Sequence, residues 1–393
     1  MSSTRPIADS FALEPMGENF AFARGRVALF AVLKALGVEP DDEVILTGFT
    51  CVVVANSVQF LGAKCRYVDI DSRTYGTNPG QLGEVWSPRT KAMVVQHSFG
   101  IPAAMEPIMA WARETSVPVI EDCALTLGSK YKGQQIGSFG AAAFWSGQWS
   151  KPLPVGAGGF LKVNDPELVE AVRAQWEQAS RPAAGKQVSL IVQAALRKRL
   201  LTSRRKARLQ SFYRELARRR VIGPASAPRE VNGHMPANFF ARAGVLQSWA
   251  WRRGLRHWDR DIIHRCRIVM IYEESLPAMG FETVDLSPYE EVVYSRYPVR
   301  VSNKQEVLRA AEREAVEIGD WMDQPLHEAE APLETWDYRM GMCPVGEKAA
   351  RETINLPTHH GVSDKEARRV LRFLEHIARP AQRDHPKSKT PSM

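Results

Sequence analysis

Cysteine is scarce in this chain. The five cysteines, Cys51, Cys65, Cys123, Cys266 and Cys343, form no CxxC pair, so neither a zinc site nor a disulfide framework is indicated. No apolar run approaches the ~20 residues that a membrane helix needs. The opening stretch MSSTRPIADSFALEP lacks the apolar core of a secretory signal. Together these absences lead us to expect a cytoplasmic protein with no metal site. Recognition-helix and base-stacking motifs are missing too, so no nucleic acid partner is expected.

What is present is an ordinary soluble composition, 44% hydrophobic and 24% charged over 393 residues, a length that predicts two domains. The formal net charge of +8 is unevenly spread. Between Arg197 and Arg220, eleven Lys or Arg stand against one acid, Glu215, and the rest of the chain is near neutral. This stretch sits in a basic helical insert, residues 180–235. An apolar start followed by arginines at helical spacing suits three things: an anionic membrane surface met by residues 190–220, a polyphosphate ligand, or water alone.

From Asp41 onward, short β-rich runs (EVILTG, CRYVDI, AMVVQH, VPVIED) alternate with helix-like segments such as TCVVVANSVQFLG and AAMEPIMAWARETS. The alternation predicts an α/β fold, a mostly parallel central sheet flanked by helices. Ligand groups then belong at the carboxyl ends of the strands: Gly48 to Cys51, His97-Ser98 and Asp122. Ahead of the first strand, Val27, Leu29, Phe30, Val32, Leu33 and Leu36 fall at helical spacing. The glycine before them, Gly25, opens a helix N-terminus that offers backbone N–H groups to an anion. Lys151 lies in the apolar, glycine-rich stretch AAAFWSGQWSKPLPVGAGGFL. A desolvated lysine loses its proton readily and becomes a nucleophile for an aldehyde. Lysine plus a deep aspartate is the pair that pyridoxal phosphate requires. As bare residues, Lys151 also reads as a turn lysine reaching for water, Asp122 as a helix cap, and His97 as structural.

Toward the C-terminus, MPANFFARAGVLQSWAWRRGLRHWDRDIIHRCRIVMIYEES reads as one long helix leading into a second domain. EVVYSRYPVRV is an alternating strand, and Ser363 with Glu366 forms a capping box for the last helix. The expected division is a large domain over 1–245, a smaller α+β domain over 246–381, and a polar, disordered tail over 382–393.

Residues 24–165 resemble the DegT/DnrJ/EryC1/StrS family of pyridoxal-phosphate-dependent sugar aminotransferases. The segments that carry the resemblance are RGRVALFAVLKALGVEPDDEVILTGFT, GAKCRYVDIDSRTYGTNP, TKAMVVQHSFGIPAAM, VPVIEDCALTLGSKYKGQQIGSFG and FWSGQWSKPLPVGAGG, in the family's order and spacing. Weaker matches run to about residue 375 and leave out roughly 180–235. The resemblance implies the fold-type I transferase fold and a homodimer. It also implies transfer of an amino group from an amino acid, expected to be glutamate, to a nucleotide-linked keto-sugar, in amino-sugar, surface-polysaccharide or natural-product biosynthesis. It assigns Lys151 as the catalytic residue and covalent anchor of pyridoxal phosphate, and Asp122 as the partner of the ring nitrogen. Ser146, Gly25 and Arg26 would bind the phosphate. His97 falls in an H-x-x-G loop at the substrate mouth, and Arg242 keeps the register of an N-Y-R-M-x-E-x-Q segment.

Four positions depart from the family pattern. Arg26 stands where a threonine is usual. Cys51 holds the place of an aromatic residue that stacks on the cofactor ring, and Leu125 that of a Gln or His. Phe240 replaces an asparagine that reaches the neighbouring subunit's phosphate, with Asn238 two residues earlier as a substitute. These changes leave open a second reading, a non-catalytic family member that binds a sugar nucleotide or a protein partner. The lysine itself argues for transamination, because a dehydratase branch of the family carries histidine there.

Overall fold

Glu43–Thr47, Val119–Asp122 and Ala142–Ser146 are strands buried at every residue. Strands covered on both faces need helices on both sides, which is why their apolar residues run without strict alternation. The computed structural model describes residues 18–182, 228–284 and 291–381, with the separate positions Gln187, Leu190 and Leu286.

The first half of the chain runs β1 (Asn19–Phe22), α1 (Gly25–Ala35), β2 (Glu43–Thr47), β3 (Thr50–Cys51), α2 (Val52–Gln59), β4 (Lys64–Val68), α3 (Leu82–Val85) and β5 (Thr90–Gln96). It continues through α4 (Met105–Thr115), β6 (Val119–Asp122), the short pair β7 (Lys130–Tyr131) and β8 (Gln134–Gln135), β9 (Ala142–Ser146), β10 (Gly159–Val163) and α5 (Val169–Gln178). Seven of these strands form one sheet in the order β1-β10-β9-β6-β5-β2-β4. The five from β9 to β4 are parallel, while β10 and β1 extend the edge antiparallel. α1 follows the expected periodicity: every residue from Gly25 to Leu33 is buried, and Gly37 at φ 73° ends the helical run.

The single long helix expected from Met235 is two helices, α6 (Val245–Leu255) and α7 (Trp258–Ser275). Residues before α6 are extended, because Ala241 and Ala243 hydrogen-bond to Ala23 and Ala21 beside β1. Gln247 then caps α6 by accepting from the Gly244 N–H at 2.6 Å. The smaller unit pairs β11 (Arg296–Arg300) with β13 (Thr353–Pro357) under α8 (Lys304–Arg313) and α10 (Asp364–Ile377). The capping box opens α10: Ser363 and Glu366 exchange side-chain and backbone bonds.

The apolar packing does not divide at 245/246. Trp251, Leu255, Trp258 and Ile262 pack with Ile45, Val95 and Val119 of the large sheet, whereas Ile268, Tyr272 and Leu276 pack with Tyr297, Val307 and Leu374. The change of core thus falls inside α7. Later, β12 (Leu326–His327) returns to pair in parallel with β3, before α9 (Pro344–Glu352) leads into β13. Trp336 and Tyr338 follow β12 into the core of α1 and α2. Nearly all of the basic insert, the membrane contact expected at 190–220 and the tail over 382–393 lie outside the described residues. Among the described residues, no helix is long and apolar enough to cross a membrane.

The return segment is fastened by a buried amide. Asn56 on α2 donates to the Glu230 carbonyl at 2.8 Å and accepts from the Trp336 indole at 2.6 Å. Replacing it with leucine strands both partners without water. Asn56→Leu is therefore expected to cost about 2–4 kcal/mol, read as a lower urea midpoint at unchanged slope; a loss under about 0.5 kcal/mol would contradict this role.

Candidate active site

One transverse row of the sheet lays the floor of a cleft. In the parallel register Gln96 of β5 stands beside Asp122 of β6, and Asp122 beside Phe144 of β9. Register partners share a face, and residues two apart on a strand return to it. Gln96, Asp122, Phe144 and Ser146 accordingly line one cavity that opens to solvent. Gly25 and Arg26 wall it from the start of α1, Cys51 from the start of α2, and Lys151 from the loop between β9 and β10.

Seven residues singled out in the sequence thus meet: Gly25, Arg26, Cys51, Asp122, Leu125, Ser146 and Lys151. Burial pushes the Lys151 pKa down, while Cys51 and Asp122 push it back up and Arg296 lowers it further. Its Nζ lies 4.9 Å from the centroid of the Trp321 indole. Burial also raises the Asp122 pKa, opposed by the Ala124 N–H, which donates to Oδ1 at 2.9 Å, and by the charge of Lys151. Both shifts share a cause, loss of bulk water around a charge. Burial similarly raises the Cys51 thiol to about 11.

Arg26 does not wait unpaired for an anion. Its Nη1 lies 2.8 Å from Glu230 Oε1, and both side chains are almost fully buried. Arg24 stands close by, its pKa lowered to about 10 chiefly by burial and then by Arg26, with Glu230 pulling the other way. The Glu230 carboxylate thus acts on two guanidinium groups near Gly25 and Ser146. A Cβ placed on Gly25 would lie 3.3 Å from the Ser146 Cβ, so the helix start and the serine are in close contact.

The three residues expected at the substrate lie away from this cleft. His97 faces the opposite side of the sheet. Its Nδ1 accepts from the Ala103 N–H at 3.0 Å, which leaves Nε2 to donate to Glu121 at 3.3 Å. Glu121 further accepts from the N–H groups of Gly137, Phe139 and Gly140 at 2.7–2.9 Å. His97, Glu121 and Cys123 offer ligand atoms within 4.8 Å of one another, but both Glu121 oxygens are already engaged. Arg242 stacks on Trp176 at 4.1 Å and donates to the Ala179 carbonyl at 3.1 Å. Asn238 is exposed, and Phe240 packs against Phe22 and Phe30.

Gln96, Trp321 and Glu328 also line the cleft and were not singled out in the sequence. Gln96 sits one residue before the histidine, and only the strand register tells which of the two faces the site. Trp321 and Glu328 arrive with the β3–β12 pairing, for which no local pattern exists.

A profile of the DegT/DnrJ/EryC1/StrS aminotransferase family matches residues 16–223 and 242–375. The chain belongs to that family. A UDP-2-acetamido-2-deoxy-3-oxo-D-glucuronate aminotransferase of Pseudomonas aeruginosa is 30% identical over 338 residues, 86% of this chain and 80% of the relative. A GDP-perosamine synthase of Caulobacter vibrioides is 28% identical over 364 residues, 90% and 84% of the two chains. In shape, the chain matches a DegT DnrJ EryC1 StrS aminotransferase from Brucella abortus with a TM-score of 0.70 at 21% identity, over 94% of this chain and 87% of that one. NtdA from Bacillus subtilis, solved with the cofactor PMP bound, gives 0.69 at 20% identity, over 91% and 73%. These two establish the fold, a mostly parallel sheet flanked by helices.

The aminotransferase family depends on pyridoxal phosphate, and the donor set of this cleft fits it. There is an amine pushed toward its neutral form, a deep carboxylate, and a guanidinium beside a serine and a helix start. Cys51 and Leu125 supply neither an aromatic face nor a polar contact.

The shifted lysine gives a pH prediction. The neutral amine is the reactive form, and the Lys151 pKa lies below the usual 10.5. Its labelling by an amine-selective acylating reagent, followed by peptide mass, should therefore plateau at lower pH than that of an exposed lysine. The charge of Asp122 raises that pKa, so Asp122→Asn should move the profile further toward acid. A profile moving toward alkali would contradict the assignment.

Proposed function

We propose that this aminotransferase moves an amino group from an amino acid, glutamate in the first instance, to a nucleotide-linked keto-sugar, with pyridoxal phosphate as cofactor. The observation that carries the reading is the meeting of Lys151 and Asp122 in one cleft, each with its pKa displaced by burial. The sugar class follows the relatives, whose names specify UDP- and GDP-linked products or substrates. A homodimer and a role in amino-sugar or polysaccharide biosynthesis belong to the same reading.

Lys151 would hold the cofactor covalently through Nζ. Asp122 would face its ring nitrogen, and Ser146, Gly25 and Arg26, with Arg24 behind, would hold its phosphate. When bound, the cofactor supplies an electron-accepting ring that stabilises negative charge on the carbon next to the transferred nitrogen. The chain's own residues do the rest. Nζ of Lys151, once free of its covalent role, would serve as the base that takes a proton from the donor's α-carbon and as the acid that gives one back. Its depressed pKa suits both tasks, because a base poised nearer neutrality both accepts and gives up protons readily. Asp122, held by the Ala124 N–H, would offer its carboxyl group to the ring nitrogen.

Purified protein saturated with pyridoxal phosphate should show a bound-cofactor absorbance band near the visible edge. The band should be lost in Lys151→Ala, together with roughly 10²–10⁴-fold or more of the turnover. Adding glutamate alone to the wild-type holoenzyme should convert the band to that of the amine form of the cofactor. If saturating pyridoxal phosphate leaves no bound cofactor, the non-catalytic reading motivated by Cys51 and Leu125 takes its place.

A further inference from the structure

The cleft contains a flat, rigidly held aromatic face that the proposed chemistry does not use. Trp321 comes from the segment before β12 and lies over the Lys151 amine, 4.9 Å from Nζ to the indole centroid. A planar ring joined to that nitrogen comes within reach of the indole, whose face is the broad aromatic surface beside it. The other candidate surfaces are poorer. Cys51 presents a small thiol and Leu125 a branched aliphatic chain, while Phe144 is fixed in the sheet at 2% exposure.

Trp321 is also held on every side. Its backbone N–H donates to Asn355 Oδ1 at 2.8 Å. The residues flanking it are pinned by the buried Lys304, whose Nζ meets Asp320 at 2.5 Å and the Met322 carbonyl at 3.1 Å. The ring packs edge-on against Phe99 at 6.0 Å and His327 at 5.7 Å. His327 is in turn the register partner of Cys51, so Trp321 and Cys51 belong to one continuous wall. Such fastening keeps the ordering cost of a stacking surface out of the binding step.

Resting on the pyridoxal phosphate reading above, we propose that Trp321 is the wall against which the cofactor's pyridine ring lies. Position 51 is then small because the indole already occupies the stacking role, and Cys51 is an accommodation rather than a lesion.

The test is the dissociation constant of pyridoxal phosphate for the full chain, from absorbance titration and from quenching of tryptophan emission. Trp321→Leu should weaken binding about 3- to 10-fold and Trp321→Phe no more than about 2-fold. Adding Cys51→Phe to Trp321→Leu should recover most of the loss, since a ring then covers the opened wall. In the wild-type background Cys51→Phe should instead weaken binding by crowding, and this variant decides the matter if Trp321→Leu does not fold. Unchanged affinity in Trp321→Leu, or tighter binding in Cys51→Phe alone, overturns the proposal while the function stands. A wild-type chain that takes up no cofactor overturns both.

Discussion

The alternation of side chains along β6 sends Glu121 and Asp122 to opposite faces of the sheet, and the site depends on that division. Glu121 accepts three backbone N–H groups from the 137–140 turn and faces His97. Each of these bonds is a charge-assisted contact without water, worth more than an ordinary hydrogen bond. They fix where β6 ends and in which register it meets β5. Asp122, on the other face, is thereby held at the floor of the cleft with a single backbone donor on Oδ1. A slip of one residue would exchange the two acids and leave an unpaired carboxylate in the core.

The cleft is completed from far along the chain. β12 adds two residues beside β3, yet this small pairing brings Trp321 and Glu328 to Lys151. The segment is held at both ends: Lys304 fixes the approach, and Trp336, bonded to Asn56, fixes the departure. The lysine's surroundings are thus shared between the large sheet and a loop of the smaller unit. Arg265 links the same parts, donating to the Pro152 carbonyl at 3.3 Å and to Thr358 at 2.9 Å.

Much of this was legible in the sequence because it is local. Strand ends, a helix start after Gly25 and a lysine between apolar runs each leave a signal within about ten residues. The resemblance then set their order and supplied the role of Ser146. The differences have equally physical origins. Period-two alternation gives two equivalent phases, and only pairing with β6 tells that Gln96 rather than His97 faces the cleft. Arg242 keeps its place in the motif but spends its guanidinium on Trp176 and the end of α5. The long helix from Met235 failed because β1 offered residues 241–243 an extended partner, and tertiary hydrogen bonds outweigh helical propensity. Trp321 left no trace, since nothing near it in the chain refers to Lys151.

The altered positions acquire meaning when taken with their neighbours. An arginine in place of a threonine at position 26 would by itself bury a charge, which is costly unless it is paired. Glu230, near the end of the insert, supplies the pair. Arg24 stands adjacent, its pKa lowered to about 10 chiefly by burial, and a guanidinium of that pKa keeps its proton at neutral pH. A guanidinium would offer a dianion a charge-assisted contact that a threonine hydroxyl cannot. The departures at 26 and 51 are thus each matched by a compensating group, Glu230 with Arg24 in one case and Trp321 in the other. Glu230 pairs the arginine at 26, and Trp321 stands in the wall that runs on to Cys51, so both departures sit in a packed, paired site, which favours retuning over loss.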